Sequence, residues 1–228
     1  MPCKNAIKQY VEGGYYHIYN RGVDKRSIFE TEQDYAVFLQ FLKEYLLPLN
    51  HPELEVLREL NPKRNPVNCA SEIGLLAYCL MPNHFHLLVK QLTQDGLKTF
   101  MKALATNYVV YFNSKYDRVG PLFQGIYKAA LVQSDSYLLQ VSRYIHTNPA
   151  GLIAKDARDH PLRGLQSYPY SSYLVYSGQK RCEWVKPDEI LAVFSKNLGD
   201  RSRLYGDFVN DDVDGNKSAD LLGGLILE

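Results

Sequence analysis

Two histidines separated by one residue, His84 and His86, begin an apolar run in the middle of this chain. Successive side chains of a strand point to opposite faces, so we expect both imidazoles on one face and Phe85 on the other. Two imidazoles on one rigid element can hold a divalent metal ion. Taken alone, so short a motif is more often two half-buried histidines without a metal, so the rest of the chain must decide between the two interpretations.

The histidine pair is expected to open the second strand of a hairpin over 72–90. Residues 73–80 are strand-like, and Met81-Pro82-Asn83 has the composition of a tight turn. Proline presets φ there, and asparagine tolerates an unusual backbone conformation. We predict that this hairpin lies in the interior of a sheet, with a ligand able to approach beside its turn.

Composition bounds the class of protein. The chain has 228 residues, of which 46% are hydrophobic and 22% charged, as in a globular protein with a substantial core. Four scattered cysteines without a C-x-x-C pair argue against a zinc ribbon or a disulfide framework and fit a reduced cytoplasm. The longest apolar run is too short to cross a bilayer, and no signal core follows Met1, so we expect a cytoplasmic protein with no membrane partner.

The net charge of +1 conceals an uneven distribution. Residues 200–228 carry seven acids and three bases, whereas 90–143, directly after the histidine strand, carry seven bases and three acids. This modest basic bias makes nucleic acid a possible partner, although it is also typical of an ordinary solvated surface.

Hydrophobic periodicity and turn residues predict the order β-α-β-β-α-β-α. Besides the hairpin, strands are predicted at 14–21 and 123–132, and helices at 32–47, from 93 or 95 to 116, and 135–147. The first six elements have the split β-α-β order of ferredoxin-like folds, an α+β class with an antiparallel sheet and helices on one face.

Two further segments flank or interrupt this predicted domain, which we place at 12–178. The proline-rich stretch 48–70 is interpreted as an insertion. Residues 179–228 are interpreted as a C-terminal helical extension that ends in a flexible acidic tail.

The third long helix carries a second candidate group. Tyr144 and Asn148 are spaced i and i+4, so they stack on one face beside the core stripe. A phenol there would face the sheet margin, and the asparagine could supply an oxygen to a metal already held by two histidines. Taken singly, each residue is more typical of packing or of a helix end before a proline.

Together these residues resemble the single-tyrosine HUH transposases, in which two histidines flank a bulky hydrophobic residue. Within that group the chain most resembles the REP-associated tyrosine transposases, relatives of the simple insertion-sequence enzymes. Supporting stretches are 16–22, 77–86, 120–124, 144–149 and 171–173. Two features depart from the family: Ala150-Gly151 shortens the turn after Pro149, and 48–70 is longer than usual. The shortened turn bears on where Asn148 lies.

The resemblance implies a metal-dependent enzyme that cuts single-stranded DNA near hairpins, possible targets being extragenic palindromic repeats. It implies that His84, His86 and Asn148 hold Mg²⁺ or Mn²⁺, and that Tyr144 attacks the phosphate to give a 5′-phosphotyrosine and a free 3′-OH. Another 3′-OH can then reverse the step and join strands. Contacts with DNA phosphates are expected from eight basic residues: Arg21, Lys25, Arg26, Lys90, Lys98, Lys102, Lys128 and Arg143.

Other interpretations stay open at this point. A hairpin-binding module would keep the basic residues and cut nothing. A metallohydrolase would use His17 or His146 as a third ligand, although no carboxylate base stands beside the histidine pair. Tyr137, two helical turns before Tyr144, is the alternative nucleophile. The chain is expected to act as a monomer or a homodimer.

Overall fold

A computed structural model describes residues 10–60, 67–152, 161–194 and 197–212. Four strands form one antiparallel sheet in the order β2-β3-β1-β4. They are β1 (Tyr15–Arg21), β2 (Ile73–Met81), β3 (His84–Gln91) and β4 (Lys128–Val132). The predicted α+β class and antiparallel sheet are confirmed.

The helices follow the predicted order closely. They are α1 (Glu32–Leu46), α2 (Pro52–Leu60), α3 (Gly96–Lys115), α4 (Asp135–Thr147), α5 (Pro161–Ser167), α6 (Tyr173–Tyr176), α7 (Asp188–Leu191) and α8 (Leu198–Asn210). Ser134 caps α4 by accepting a hydrogen bond from the Tyr137 backbone N–H, which is why this helix begins where the sequence predicts. A 3₁₀ turn, Asn148–Leu152, continues from its end.

Two predictions about the strands need correction. Of the two hairpin strands only β3 is interior, because β1 pairs with its other edge, whereas β2 is the last strand of the sheet. The outer edge of β2 bonds instead to C-terminal segments, through Tyr170 and Lys186. β4 begins at Lys128, five residues later than predicted, because the loop before it bonds to Arg21 and to the Asn20 side chain.

The two faces of the sheet bury different helices. On one face α1 and α3 pack against Ile18, Phe85 and Leu87, so the helices of the first six elements share a face as predicted. On the other face α4 and α5 to α8 pack against β2 and β3 around Leu88. The strict alternation of β3 therefore turns Phe85 toward the first core and His84 and His86 toward the second face.

The C-terminal extension contributes to this second core, since Tyr205 and Val209 of α8 are fully buried beside α4. The predicted boundary between 178 and 179 stays a prediction. The predicted flexible tail falls largely on 213–228, and part of the predicted insertion on 61–66, and both stretches lie outside the described residues. Within the described ranges no helix combines the length and apolar character needed to cross a bilayer.

Candidate functional site

Three histidines and one tyrosine meet where α4 crosses the strands. His17 comes from β1, His84 and His86 from β3, and Tyr144 from α4. The ring centre of His86 lies 5.0 Å from that of His84, 5.1 Å from that of His17 and 5.4 Å from that of Tyr144. His84 and His86 share a face, as predicted, and the phenol faces the sheet.

Asn148 joins this group from the end of α4. Its Oδ1 lies 3.1 Å from His84 Nε2, while Asn83 Oδ1 lies 2.6 Å from His84 Nδ1. The backbone of Asn148 stays helical (φ −51°, ψ −38°), so its amide continues the face on which Tyr144 stands one turn earlier. The structure thus brings together all four residues predicted to act at the site.

His86 has one nitrogen with a partner and one without. His86 Nδ1 lies 2.9 Å from His17 Nε2, and both side chains are fully buried. His86 Nε2 is also buried, yet it has no hydrogen-bond partner among the described residues. A buried polar atom without a partner is uncommon in proteins, and a bound ion or water is one explanation for it.

These donors fit a divalent metal. Within the described ranges no three His, Cys, Asp or Glu side chains are arranged to hold one. The amide oxygen of Asn148, already against His84, could serve as a third donor beside the two imidazoles. Two imidazole nitrogens and an amide oxygen would bind Mg²⁺ or Mn²⁺ more weakly than carboxylates would. Three ligands would also leave coordination positions open for a substrate.

Burial keeps both imidazoles neutral. It lowers the pKa of His84 to about 4, against the opposing effect of the hydrogen bond that Asn148 Oδ1 accepts. Burial, followed by the neighbouring His17, holds the pKa of His86 well below its usual range. At neutral pH both rings are therefore uncharged, which is the form that binds a metal.

Tyr144 is half-buried and packs edge-on against the imidazoles. Its ring makes interplanar angles of 84° with His86 and 77° with His17. Tyr137, the alternative nucleophile, lies near the start of α4 with 38% of its surface exposed.

His146 faces away from this site. It lies two residues after Tyr144, which is more than half a turn around the helix. Its Nδ1 is 2.6 Å from the Tyr205 hydroxyl and its Nε2 is 2.7 Å from Ser172 Oγ. Because both nitrogens already have hydrogen-bond partners inside the second core, His146 is not placed to be a third ligand.

Four of the predicted basic residues surround the site. Arg21 pairs with His84 across β1 and β3, and Lys128 lies over the Tyr19 ring, 5.5 Å from its centre. Lys25 and Arg26 are exposed in the turn after β1, and the Lys25 carbonyl accepts a hydrogen bond from Asn83, next to His84.

The other four lie elsewhere. Lys98 and Lys102 are exposed on α3, across the sheet, and Lys98 pairs with Asp95. Lys90 pairs with Glu189.

Arg143 is 6% exposed. Its guanidinium packs 4.3 Å from the Phe208 ring centre and lies 3.5 Å from Asp212 Oδ2. The expectation that Arg143 contacts DNA does not agree with this placement, because its charge serves the packing of α8.

Sequence reasoning named His17 only as a third metal ligand of the alternative metallohydrolase and did not predict its hydrogen bond with His86. The register sets Tyr19 opposite His86, so His17 is the diagonal neighbour of His86 on the same face. That relationship follows only from the pairing of β1 with β3, which is remote in sequence.

Comparison with known proteins agrees with the motifs. Residues 53–148 match the family model described as IS200-like transposases, a range that contains the two histidines, Tyr144 and Asn148. The resemblance to the insertion-sequence transposases is thereby confirmed.

Among solved structures, a REP-associated tyrosine transposase bound to a REP hairpin is similar. It shares 14% identity, with a TM-score of 0.46, over 81% of this chain and 92% of that chain. No curated protein matches this chain.

Proposed function

We propose that this protein is a metal-dependent transposase that cuts hairpin-forming single-stranded DNA and joins strands through a covalent bond to Tyr144. The observation that carries the proposal is the meeting of His84, His86 and Asn148 with the Tyr144 ring on one face of the sheet. The family match over the same residues supports it.

Tyr144 is the nucleophile. Its phenolic oxygen attacks the phosphorus, and the bond from phosphorus to the 3′ oxygen breaks. The phenol loses one proton and the leaving 3′ oxygen gains one, which gives a free 3′-OH. The 5′ end stays on the tyrosine as a phosphodiester, so a 3′-OH from another strand can reverse the step. A free phenol titrates near pH ~10, so an environment that favours its anion is needed for attack.

His84, His86 and Asn148 would hold the metal, through the His84 and His86 Nε2 atoms and the Asn148 amide oxygen. When bound, Mg²⁺ or Mn²⁺ supplies positive charge to the phosphate oxygens as the tyrosine attacks. The neutral state of both imidazoles leaves their lone pairs available at physiological pH.

Basic residues around the site would hold the DNA backbone. Arg21 and Lys128 lie on the face that carries the histidines, and Lys25 and Arg26 are exposed in the turn that contacts Asn83. Phosphate contacts of this kind position a strand without reading its sequence. The Tyr19 ring lies between Lys128 and the histidines, with its centre 6.0 Å from that of the His86 ring.

The experiment uses labelled single-stranded hairpin DNA with Mn²⁺, resolved on a denaturing gel. We expect a covalent protein–DNA band with the wild-type chain and none with Tyr144→Phe, which loses one oxygen and keeps its ring for packing. Tyr137→Phe is the matched control, since it removes a phenolic oxygen from the same helix and should keep the band.

Other results would point elsewhere. An adduct formed by Tyr144→Phe would refute the assignment of the nucleophile. Cutting without any covalent band would favour a metallohydrolase, and binding without cutting would favour a DNA-binding module.

A further inference from the structure

The pairing of His17 with His86 has a consequence for the proposed metal site. Both side chains are fully buried, so neither can exchange its hydrogen bond for one with water. Their nitrogens are 2.9 Å apart, and the rings are stacked at 5.1 Å with an interplanar angle of 22°. One of the two nitrogens must therefore carry the proton that joins them.

The two ways to place this proton are unequal. If His17 Nε2 carried it, the neutral His86 ring would hold its own proton on Nε2, a buried donor without a partner among the described residues. If His86 Nδ1 carries it, Nε2 is a bare lone pair. Either form leaves Nε2 without a described protein partner, but a bare lone pair can bind a cation whereas an N–H cannot. The second arrangement is therefore the one that fits the proposed metal site.

We propose that His17 is a positioning residue that accepts the Nδ1–H of His86 and so holds the His86 Nε2 lone pair ready for the metal. The inference rests on the proposed function for the identity of that ligand. Partners of this kind fix the tautomer and orientation of metal-binding histidines and raise their affinity for the ion. His17 acts through His86, because the Nε2 of His17 is already hydrogen-bonded to His86 Nδ1 and is not free to bind the ion.

The first measurement needs no metal and no substitution. Nitrogen-15 NMR of the metal-free wild-type protein distinguishes the two neutral forms of each imidazole. We expect His86 to be protonated at Nδ1. A His86 ring protonated at Nε2 would overturn the inference, whatever the protein does to DNA.

The second measurement is Mn²⁺ affinity by calorimetry on the full chain. His17→Leu removes the acceptor at similar volume and should weaken Mn²⁺ binding about 10- to 100-fold. His17→Gln keeps a side-chain oxygen near the position of Nε2 and should recover most of that loss.

Tyr205→Phe is the matched control. It removes the hydroxyl partner of another buried imidazole, that of His146, without touching the site, and should leave Mn²⁺ affinity unchanged. Thermal unfolding of each variant separates loss of fold from loss of the ion.

Each outcome distinguishes the two proposals. Equal Mn²⁺ affinity in the wild type and His17→Leu would overturn the role of His17. If His17→Gln binds as weakly as His17→Leu, His17 does not act as an acceptor. A wild-type chain that binds no Mn²⁺ would overturn the proposed function, while the tautomer measurement would still decide the hydrogen bond.

Discussion

The two faces of the sheet each bury a polar cluster, and the two clusters differ in how completely their atoms are satisfied. Beneath α1 and α3, the carboxylate of Asp34 has no exposed surface. It accepts hydrogen bonds from five donors: Lys115 Nζ, the hydroxyls of Tyr111 and Tyr116, and the backbone N–H groups of Glu30 and Thr31. On the opposite face, His86 keeps a buried nitrogen without a described partner.

This difference separates a structural cluster from a candidate site. Every donor around Asp34 belongs to the protein, so the cluster closes on itself and links α1 to α3. In the histidine cluster, His86 Nδ1 has a partner in His17 Nε2, whereas His86 Nε2 has none among the described residues. A buried polar group with unused capacity is costly to stability unless a ligand compensates it.

The largest expected effect is the loss of stability when the hydrogen-bonded carboxylate of Asp34 is replaced. Burial alone would raise the pKa of Asp34, but the hydrogen bonds from Lys115, Tyr116 and Thr31 outweigh it and hold the pKa well below its usual range. Asp34→Asn should therefore lower the free energy of unfolding by about 2 kcal/mol at neutral pH, because a buried carboxylate loses its charge while its partner Lys115, 23% exposed, can still reach water. Denaturant titration measures it.

The pH dependence of this effect has a definite sign. The folded protein keeps Asp34 ionised at pH values where the unfolded chain takes up a proton, near the ordinary pKa of 3.8. Its contribution is complete above that pH and is lost as the pH falls below it. The free energies of unfolding of Asp34→Asn and of the wild type should converge in acid. The Mn²⁺ affinity of the variant should equal that of the wild type. A gap that widens in acid would contradict this account.

A smaller effect is expected from the open cluster. Asn148→Ala removes the amide oxygen beside His84 and should raise the Mn²⁺ concentration for half-maximal cleavage about tenfold, with excess metal restoring much of the rate. If Asn148 only ended the helix, the melting temperature would fall by the equivalent of about 1 kcal/mol and the metal titration would not move. Both quantities are measured on the same variant.

The smallest expected effect compares the charges on the two faces. Lys128→Ala should weaken binding of single-stranded DNA a few-fold and reduce the salt slope of log affinity by about 0.7, since one phosphate contact is lost. Lys102→Ala removes an equally exposed lysine from α3, across the sheet, and should change neither. Equal losses in the two variants would extend the DNA path to both faces.

The parts of the fold that depend on local patterns were predictable. Alternation along β3 placed His84 and His86 on one face, and the Ser134 cap set the start of α4 at Asp135. Helical spacing then placed Tyr144 and Asn148 on one side of that helix.

Relations between distant segments were not predictable. Nothing local indicates that the loop before β4 bonds to β1, or that the outer edge of β2 meets the C-terminal segments. The burial of Arg143 depends on α8, some sixty residues later, so a charge on a helix was taken for a surface charge. The pairing of His17 with His86 depends on a strand register set across about seventy residues.

The contacts that α4 makes with α8 fix the helix against rotation. Arg143 and His146 engage α8 on one side, while Tyr144 and Asn148 face the strands on the other. A turn of about 100°, the angle between successive helical residues, would pull Arg143 and His146 from their partners and carry the phenol off the imidazoles. These contacts thus hold Tyr144 on the side of α4 that faces the imidazoles. In the proposed strand exchange, a helix that keeps these contacts would leave the phosphotyrosine in place, and the DNA ends would change places around it.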